Sequence, residues 1–361
     1  MTPPPERQKL LGVQYLRAVA ALMVAYLHLG GQMPHYSRFL VFGRLQMGVD
    51  IFFVISGFIM FVTSHDSRPG EFAVRRIIRI VPLYWLLTIA LAAMALIGPQ
   101  LFRSTVLSSA YLVKSLLFIP YANPGQDGNL FPLLVPGWTL NFEMFFYLVF
   151  TVVLFAKLRY RLALSLVVFS VVFVVGTRAE LPATRSVFAF YGNPRLFEFW
   201  AGMLIGHFYA RRTLSIPRVA CFAMIIVGLL VLATNYQDLA PFYRPMGENA
   251  LSYLVPSAAI VLGVVGLEYS GGVRYLKWPA LLGDASYSIY LGHIFLLGVA
   301  RTLWAHTRID QVDPVHAILF ALFGMAICLT GSVLIYWWLE KPMHEALKSV
   351  YKRCAVVASR R

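Results

Sequence analysis

Charge is what this chain has least of. Of its 361 residues only 13% are Asp, Glu, Lys or Arg, and just 16 are acidic. Soluble domains carry about 25% charged residues, so a water-exposed surface of ordinary composition is excluded. Cysteine is also scarce. Cys221 and Cys328 lie in apolar runs and Cys354 in a basic tail, which excludes a disulfide framework. The chain has no internal repeat and no low-complexity tract. Its first 29 residues lack a small-residue cleavage site, and Arg17 interrupts their apolar run, so they read as mature protein and not as a removable leader.

Apolar residues make up 59% of the chain and gather in long uncharged runs, such as LALSLVVFSVVFVVGT at 162–177. Runs of about 20 apolar residues span a bilayer as helices, so the fold class is an all-α polytopic membrane protein. Ten spans are expected, at 12–30, 45–63, 80–98, 132–156, 161–177, 194–210, 216–234, 248–267, 280–303 and 315–338. With the N-terminus in the cytoplasm, roughly twice as many Lys and Arg fall inside as outside, which the positive-inside rule favours. Both termini are then cytoplasmic. An eleventh span at 105–119 would reverse that balance, so this stretch is expected to lie at the interface or to re-enter. The domain plan is a short tail at 1–11, one membrane domain at 12–338 and a basic tail at 339–361. The net charge of +15 is explained by these loops. With no basic surface domain to host it, nucleic acid is not expected as a partner.

Against this apolar background a few polar residues stand out. Arg17 and His28 occupy the first span, eleven residues apart. At about 100° per residue they share one helix face, roughly 16 Å apart along the axis. The plain alternative is that Arg17 snorkels and His28 sits at the outer end. Asp50 lies near the outer end of the second span, where it could orient an imidazole or cap its own helix. Ser56 and Gly57 read as close-packing positions. Arg76 and Arg79, three residues apart at the mouth of the third span, form a pair of forks suited to phosphate, or else an ordinary topological anchor. Glu143 sits among Trp138, Phe142, Phe145, Phe146 and Tyr147 and needs a partner there; His28, Arg195 or a backbone donor would serve. Glu198 follows Arg195 at i+3 as a local ion pair. His293 falls near the middle of the ninth span. Arginines thus gather on one side, and His28, Asp50 and Glu143 on the other. That layering suits a transferase whose phosphorylated donor and hydroxyl acceptor approach from opposite faces.

Five motifs in register carry a resemblance: Arg17 and His28 ten residues between, GVDIFFVISGF at 48–58, RRIIRIVPLYW at 75–85, GWTLNFEMFFY at 137–147, and SYSIYLGH at 286–293. They resemble the acyltransferase 3 family of integral-membrane acyltransferases, most of all its bacterial exopolysaccharide O-acetyltransferases. The family pattern W-S-L-x-x-E appears here as WTLNFE, with Thr139 in place of serine and the carboxylate kept. The resemblance implies acyl-CoA, best read as acetyl-CoA, as co-substrate and a polysaccharide or lipid-linked glycan as acceptor, in a bacterial inner membrane. It assigns chemistry to His28 and the donor to the arginines.

Combining both readings, Arg76 and Arg79 are expected to dock the CoA phosphates, with Arg17 deeper along the pantetheine channel. His28 acts as general base, supported by Glu143 and Asp50, with His293 as a further catalytic candidate. Tyr147, Asn141 and Trp138 are candidate oxyanion donors, and no metal is expected. The rival expectation is a non-enzymatic carrier or flippase for a lipid-linked glycan, since buried charges also mark transport pathways.

Overall fold

The computed structural model describes residues 10–40, 45–64, 67–98, 107–123, 130–178, 185–234, 250–309 and 311–359. Among these the regular structure is helical, with no strand. The helices begin with α1 (Leu11–Leu29), α2 (Pro34–Ser37), α3 (Met47–Thr63), α4 (Pro69–Ile97) and α5 (Ser109–Leu116). They continue with α6 (Gly137–Val153), α7 (Leu158–Arg178), α8 (Arg185–Tyr191), α9 (Arg195–Ala210) and α10 (Arg218–Thr234). The last are α11 (Ala250–Tyr269), α12 (Lys277–Asp284), α13 (Ser286–His306), α14 (Pro314–Ile335) and α15 (Lys341–Ser359). A π-helical turn, Tyr336–Glu340, joins the final two.

Each of the ten apolar windows holds a helix. Five stretches are long and apolar enough to cross a membrane: α1, α4, α7, α13 and the continuous run Pro314–Ala355. Two boundaries differ from expectation. The window 280–303 is divided at Ala285, whose ψ of 1° ends α12 before α13 begins. Helix α4 starts eleven residues ahead of its apolar window, because Pro69 occupies its first position and the arginine-rich segment is itself helical. Helix α5 covers eight residues, about 12 Å, which is too short to be an eleventh span. It is capped by Ser108 and held by Tyr84 donating to the Ser115 carbonyl and Trp85 to that of Leu116.

Without water between helices, packing depends on close backbone approach. Helices α3 and α9 cross glycine to glycine: a Cβ on Gly57 would overlap the carbonyl oxygen of Phe199, and one on Gly202 that of Val54. Helix α1 is central, touching α3, α11, α12, α13 and α14. It achieves this with Ala20, Ala21 and Ala25, all fully buried. Around the glycine crossing the core is aromatic. Phe146 stacks on Phe199 at 4.1 Å, and Phe53 meets both Phe142 and Phe146 edge-on at 5.8 Å. Such pairs add about 0.5–1.5 kcal/mol beyond burial. By contrast α7 leaves Val167, Val171 and Val174 exposed along one stripe, the apolar outside expected of a lipid-facing helix.

Candidate active site

Five helices built on this core converge on one partly open cavity of about 820 Å³ of unfilled space. Helix α1 contributes Arg17, α3 contributes Phe52 and Ser56, and α4 contributes Arg76 and Arg79. Helix α6 adds Thr139, Glu143 and Tyr147, and α13 adds Ser286, Tyr287 and Tyr290. The three arginines singled out from the sequence therefore share one chamber with Glu143.

The guanidinium groups are held differently. Arg76 donates to Thr63 Oγ1 at 2.8 Å and lies over the rings of Phe72 and Tyr147, at 5.2 and 5.6 Å. Arg79 pairs at 3.5 Å with Glu340, whose other oxygen accepts from Ser288 Oγ at 2.6 Å. Arg17 makes no hydrogen bond or ion pair among the described residues, although it is only half exposed to its surroundings. A partly buried cation that no carboxylate contacts directly costs free energy, and an anionic ligand would offset that cost.

Glu143 is satisfied from within the cavity. Ser56 Oγ and Tyr147 OH both donate to its Oε1, at 2.9 and 2.8 Å. This corrects the expectation that Glu143 orients His28, and it moves Ser56 from a packing position to a site position. The reason is rotation about the helix axis: Tyr147 stands one turn beyond Glu143 on the same face of α6.

Asp50 is corrected as well. It is 1% exposed and pairs at 3.1 Å with Arg195, which also stacks over Trp138 at 5.2 Å. Thus Arg195 takes its carboxylate from α3. Glu198, fully buried, accepts no hydrogen bond among the described residues. The Asp50–Arg195 pair does not line the cavity. It ties α3 to α9 beside the glycine crossing.

The histidines form a second centre. The rings of His28 and His293 lie 4.7 Å apart, tilted by 53°. His28 Nδ1 lies 2.9 Å from the Val24 carbonyl, and His293 Nδ1 lies 3.3 Å from that of Ile289. A carbonyl only accepts, so in each ring Nδ1 carries the proton and Nε2 the basic lone pair. Neither ring lines the arginine cavity. Tyr290 connects the two centres: it lines the cavity, and its ring is 6.2 Å from that of His293.

Several contributors were not singled out from the sequence. Glu340 ends a long apolar run and is followed by Lys341, so it reads there as the start of a charged tail; the π turn brings it back to Arg79. Tyr287 donates to the Ile80 carbonyl at 2.7 Å, and Tyr290 OH lies 2.8 Å from Thr139 Oγ1. Their signal was the polar spacing of SYSIYLGH, which also marks His293. Among the described residues no group of three or more His, Cys, Asp or Glu could hold a metal.

Comparison with known proteins bears on what this arrangement does. A family model described as an acyltransferase domain, that of the acyltransferase 3 family, matches residues 10–337. The exopolysaccharide production protein ExoZ of Rhizobium meliloti is 38% identical over 301 residues, covering 82% of this chain and 88% of its own. The acyltransferase MdmB of Streptomyces mycarofaciens is 25% identical, covering 94% and 92%. The peptidoglycan O-acetyltransferase OatA of Listeria monocytogenes is 24% identical, covering 68% of this chain and 44% of its own. No solved structure matches.

Proposed function

The chain belongs to the acyltransferase 3 family and is an acyltransferase, and on that premise we propose that it moves an acetyl group from acetyl-CoA to a polysaccharide hydroxyl. The family match sets aside the carrier alternative. The observation that carries the reading is the convergence of Arg17, Arg76 and Arg79 on one cavity, three cations around the single carboxylate of Glu143 that lines it. Arginine forks bind phosphate in bidentate fashion, and a CoA donor presents several phosphates. The acceptor class follows from the relatives, whose names point to exopolysaccharide and peptidoglycan. In this reading the membrane domain is 12–338, flanked by tails at 1–11 and 339–361. It crosses a bacterial inner membrane ten times, with both termini in the cytoplasm.

The CoA phosphates dock on Arg76 and Arg79, and the pantetheine arm passes Arg17 on its way to His28. Glu143 stays with the arginines, where its charge offsets theirs and its oxygen fixes Tyr147. Neutral His28 takes the proton of the acceptor hydroxyl through Nε2. The hydroxyl oxygen then bonds to the thioester carbonyl carbon, the C–S bond breaks, and the CoA thiolate takes the proton back from His28. His293, against the His28 ring, holds that imidazole in place.

The test uses purified protein in proteoliposomes with radiolabelled acetyl-CoA and an exopolysaccharide fragment, comparing wild type with His28→Ala. Label transfer and CoA release by wild type, both lost in a folded mutant, support the reading. Transfer that persists in the mutant removes His28 from the chemistry. Absence of both label transfer and CoA release in wild type refutes the donor.

A further inference from the structure

Of the three cavity arginines, Arg79 is held from the far end of the chain. Its guanidinium lies 3.5 Å from Glu340 Oε1, and Glu340 Oε2 accepts from Ser288 Oγ at 2.6 Å. The Glu340 side chain is 4% exposed, whereas that of Arg79 keeps 32% open. The backbone on either side of Arg79 is gripped as well. Tyr287 donates to the Ile80 carbonyl at 2.7 Å. Pro82 has no N–H to give the Ile78 carbonyl four residues before it, and His344 of α15 hydrogen-bonds that carbonyl instead. Glu340 and His344 stand one helical turn apart, on one face. The π turn Tyr336–Glu340 directs that face onto α4, and such turns inside helices occur frequently at functional sites.

We propose that Glu340 is a positioning residue of the donor site, aiming Arg79 into the cavity to meet a CoA phosphate. This rests on the acyl-CoA reading above and deepens it, adding a residue that acts on the donor only through Arg79. Glu340 does not line the cavity, and its Oε1 accepts no hydrogen bond among the described residues. The contact therefore steers the guanidinium by charge and leaves its N–H groups for phosphate oxygens. Without that carboxylate, Arg79 faces the like charges of Arg76 and Arg17 and turns its head toward water, as long cationic side chains do. Charge alone argues the opposite way, since losing an anion beside Arg79 would favour the binding of another. The direction of the change in KM separates aim from simple charge.

The experiment measures kcat and KM for acetyl-CoA, with CoA product inhibition, in wild type, Glu340→Gln, Ser288→Ala, Arg79→Gln and the double variant of Arg79→Gln with Glu340→Gln. Glu340→Gln should raise KM and the inhibition constant of CoA together, by about tenfold, with kcat per folded molecule within about twofold of wild type. Ser288→Ala, which releases the other oxygen of Glu340, should shift both constants in the same direction by less. It carries the test if Glu340→Gln does not fold. In the Arg79→Gln background, Glu340→Gln should add less than about twofold, because the two side chains act as one unit. Effects that add fully in the double variant, or a KM unchanged or lowered in the folded variants, overturn the positioning role and leave the acyltransferase reading standing. If wild type releases no CoA from acetyl-CoA, the donor reading and the positioning role fall together.

Discussion

Replacing Arg195 with methionine should damage this protein far more than replacing Asp50 with asparagine. The two side chains are 15% and 1% exposed and lie 3.1 Å apart, so the pair is almost wholly withdrawn from solvent. Removing the guanidinium leaves the Asp50 carboxylate buried without its cation, beside a second fully buried carboxyl, Glu198. Breaking such a pair costs about 3–5 kcal/mol. Asparagine at position 50, in contrast, keeps an oxygen to accept from Arg195 Nε, and the guanidinium still has Glu198 at i+3 and the Trp138 ring. That loss should not exceed about 1.5 kcal/mol, the ordinary scale of one hydrogen bond. The assay is reversible unfolding in mixed detergent micelles, followed by tryptophan fluorescence, for both single variants and the double variant. Acyl transfer per folded Asp50→Asn molecule should remain near wild type, because Asp50 reaches neither the cavity nor the histidines. The reasoning fails if Arg195→Met is no less stable than Asp50→Asn, or if Asp50→Asn folds normally and is inactive.

Three further outcomes can be measured. Glu143→Gln removes a negative charge from beside three arginines and should tighten CoA binding by up to about tenfold, some 1.4 kcal/mol, in a calorimetric titration; weaker binding would mean that Glu143 holds the arginines in place. Gly57→Ala should destabilise the fold by at least about 1–3 kcal/mol in the same micellar unfolding assay, since the new methyl meets backbone across the α3–α9 crossing and cannot be relieved by a rotamer change. Asp313 caps α14, and the His316 backbone N–H at 3.0 Å, with the His316 ring at 2.7 Å, holds its carboxyl below the usual aspartate range. Its contribution is therefore present at neutral pH and lost as the pH falls through the lowered value; amide exchange at the start of α14 should show this acid limb in wild type and not in Asp313→Ala.

The helices and the arginine cluster were legible in the sequence for a simple reason. Apolar windows of membrane length have one solution, and arginines inside them have few places to go. The pairings were less legible. Asp50 and Arg195 are distant in sequence and meet only because Gly57 and Gly202 let α3 and α9 touch. Whether Asp50 faces α1 or α9 is a matter of helix rotation, which residue spacing within one helix does not settle. Glu340 was hidden because a π turn, which has no strong residue signature, redirects it toward Arg79. The break at Ala285 was hidden for a related reason: beyond Asp284 and Ser286 beside it, the window stays apolar on both sides. His28 and His293 stood out as polar residues in apolar runs, but their contact depends on α1 lying against α13.

That contact also dictates when the site can exist. Helix α1 leaves the ribosome well before much of its cover, which lies in α11 to α14. Gln14 waits for Ala280, whose carbonyl it reaches at 2.8 Å, and His28 waits for His293. Until then the alanine-lined flanks of α1 and the charge of Arg17 must be tolerated by lipid or by temporary neighbours. Closing contacts across so much intervening chain is slow. A nascent chain arrested before α13 would hold both histidine-bearing and arginine-bearing segments of α1 in the membrane, and would still have no reaction centre.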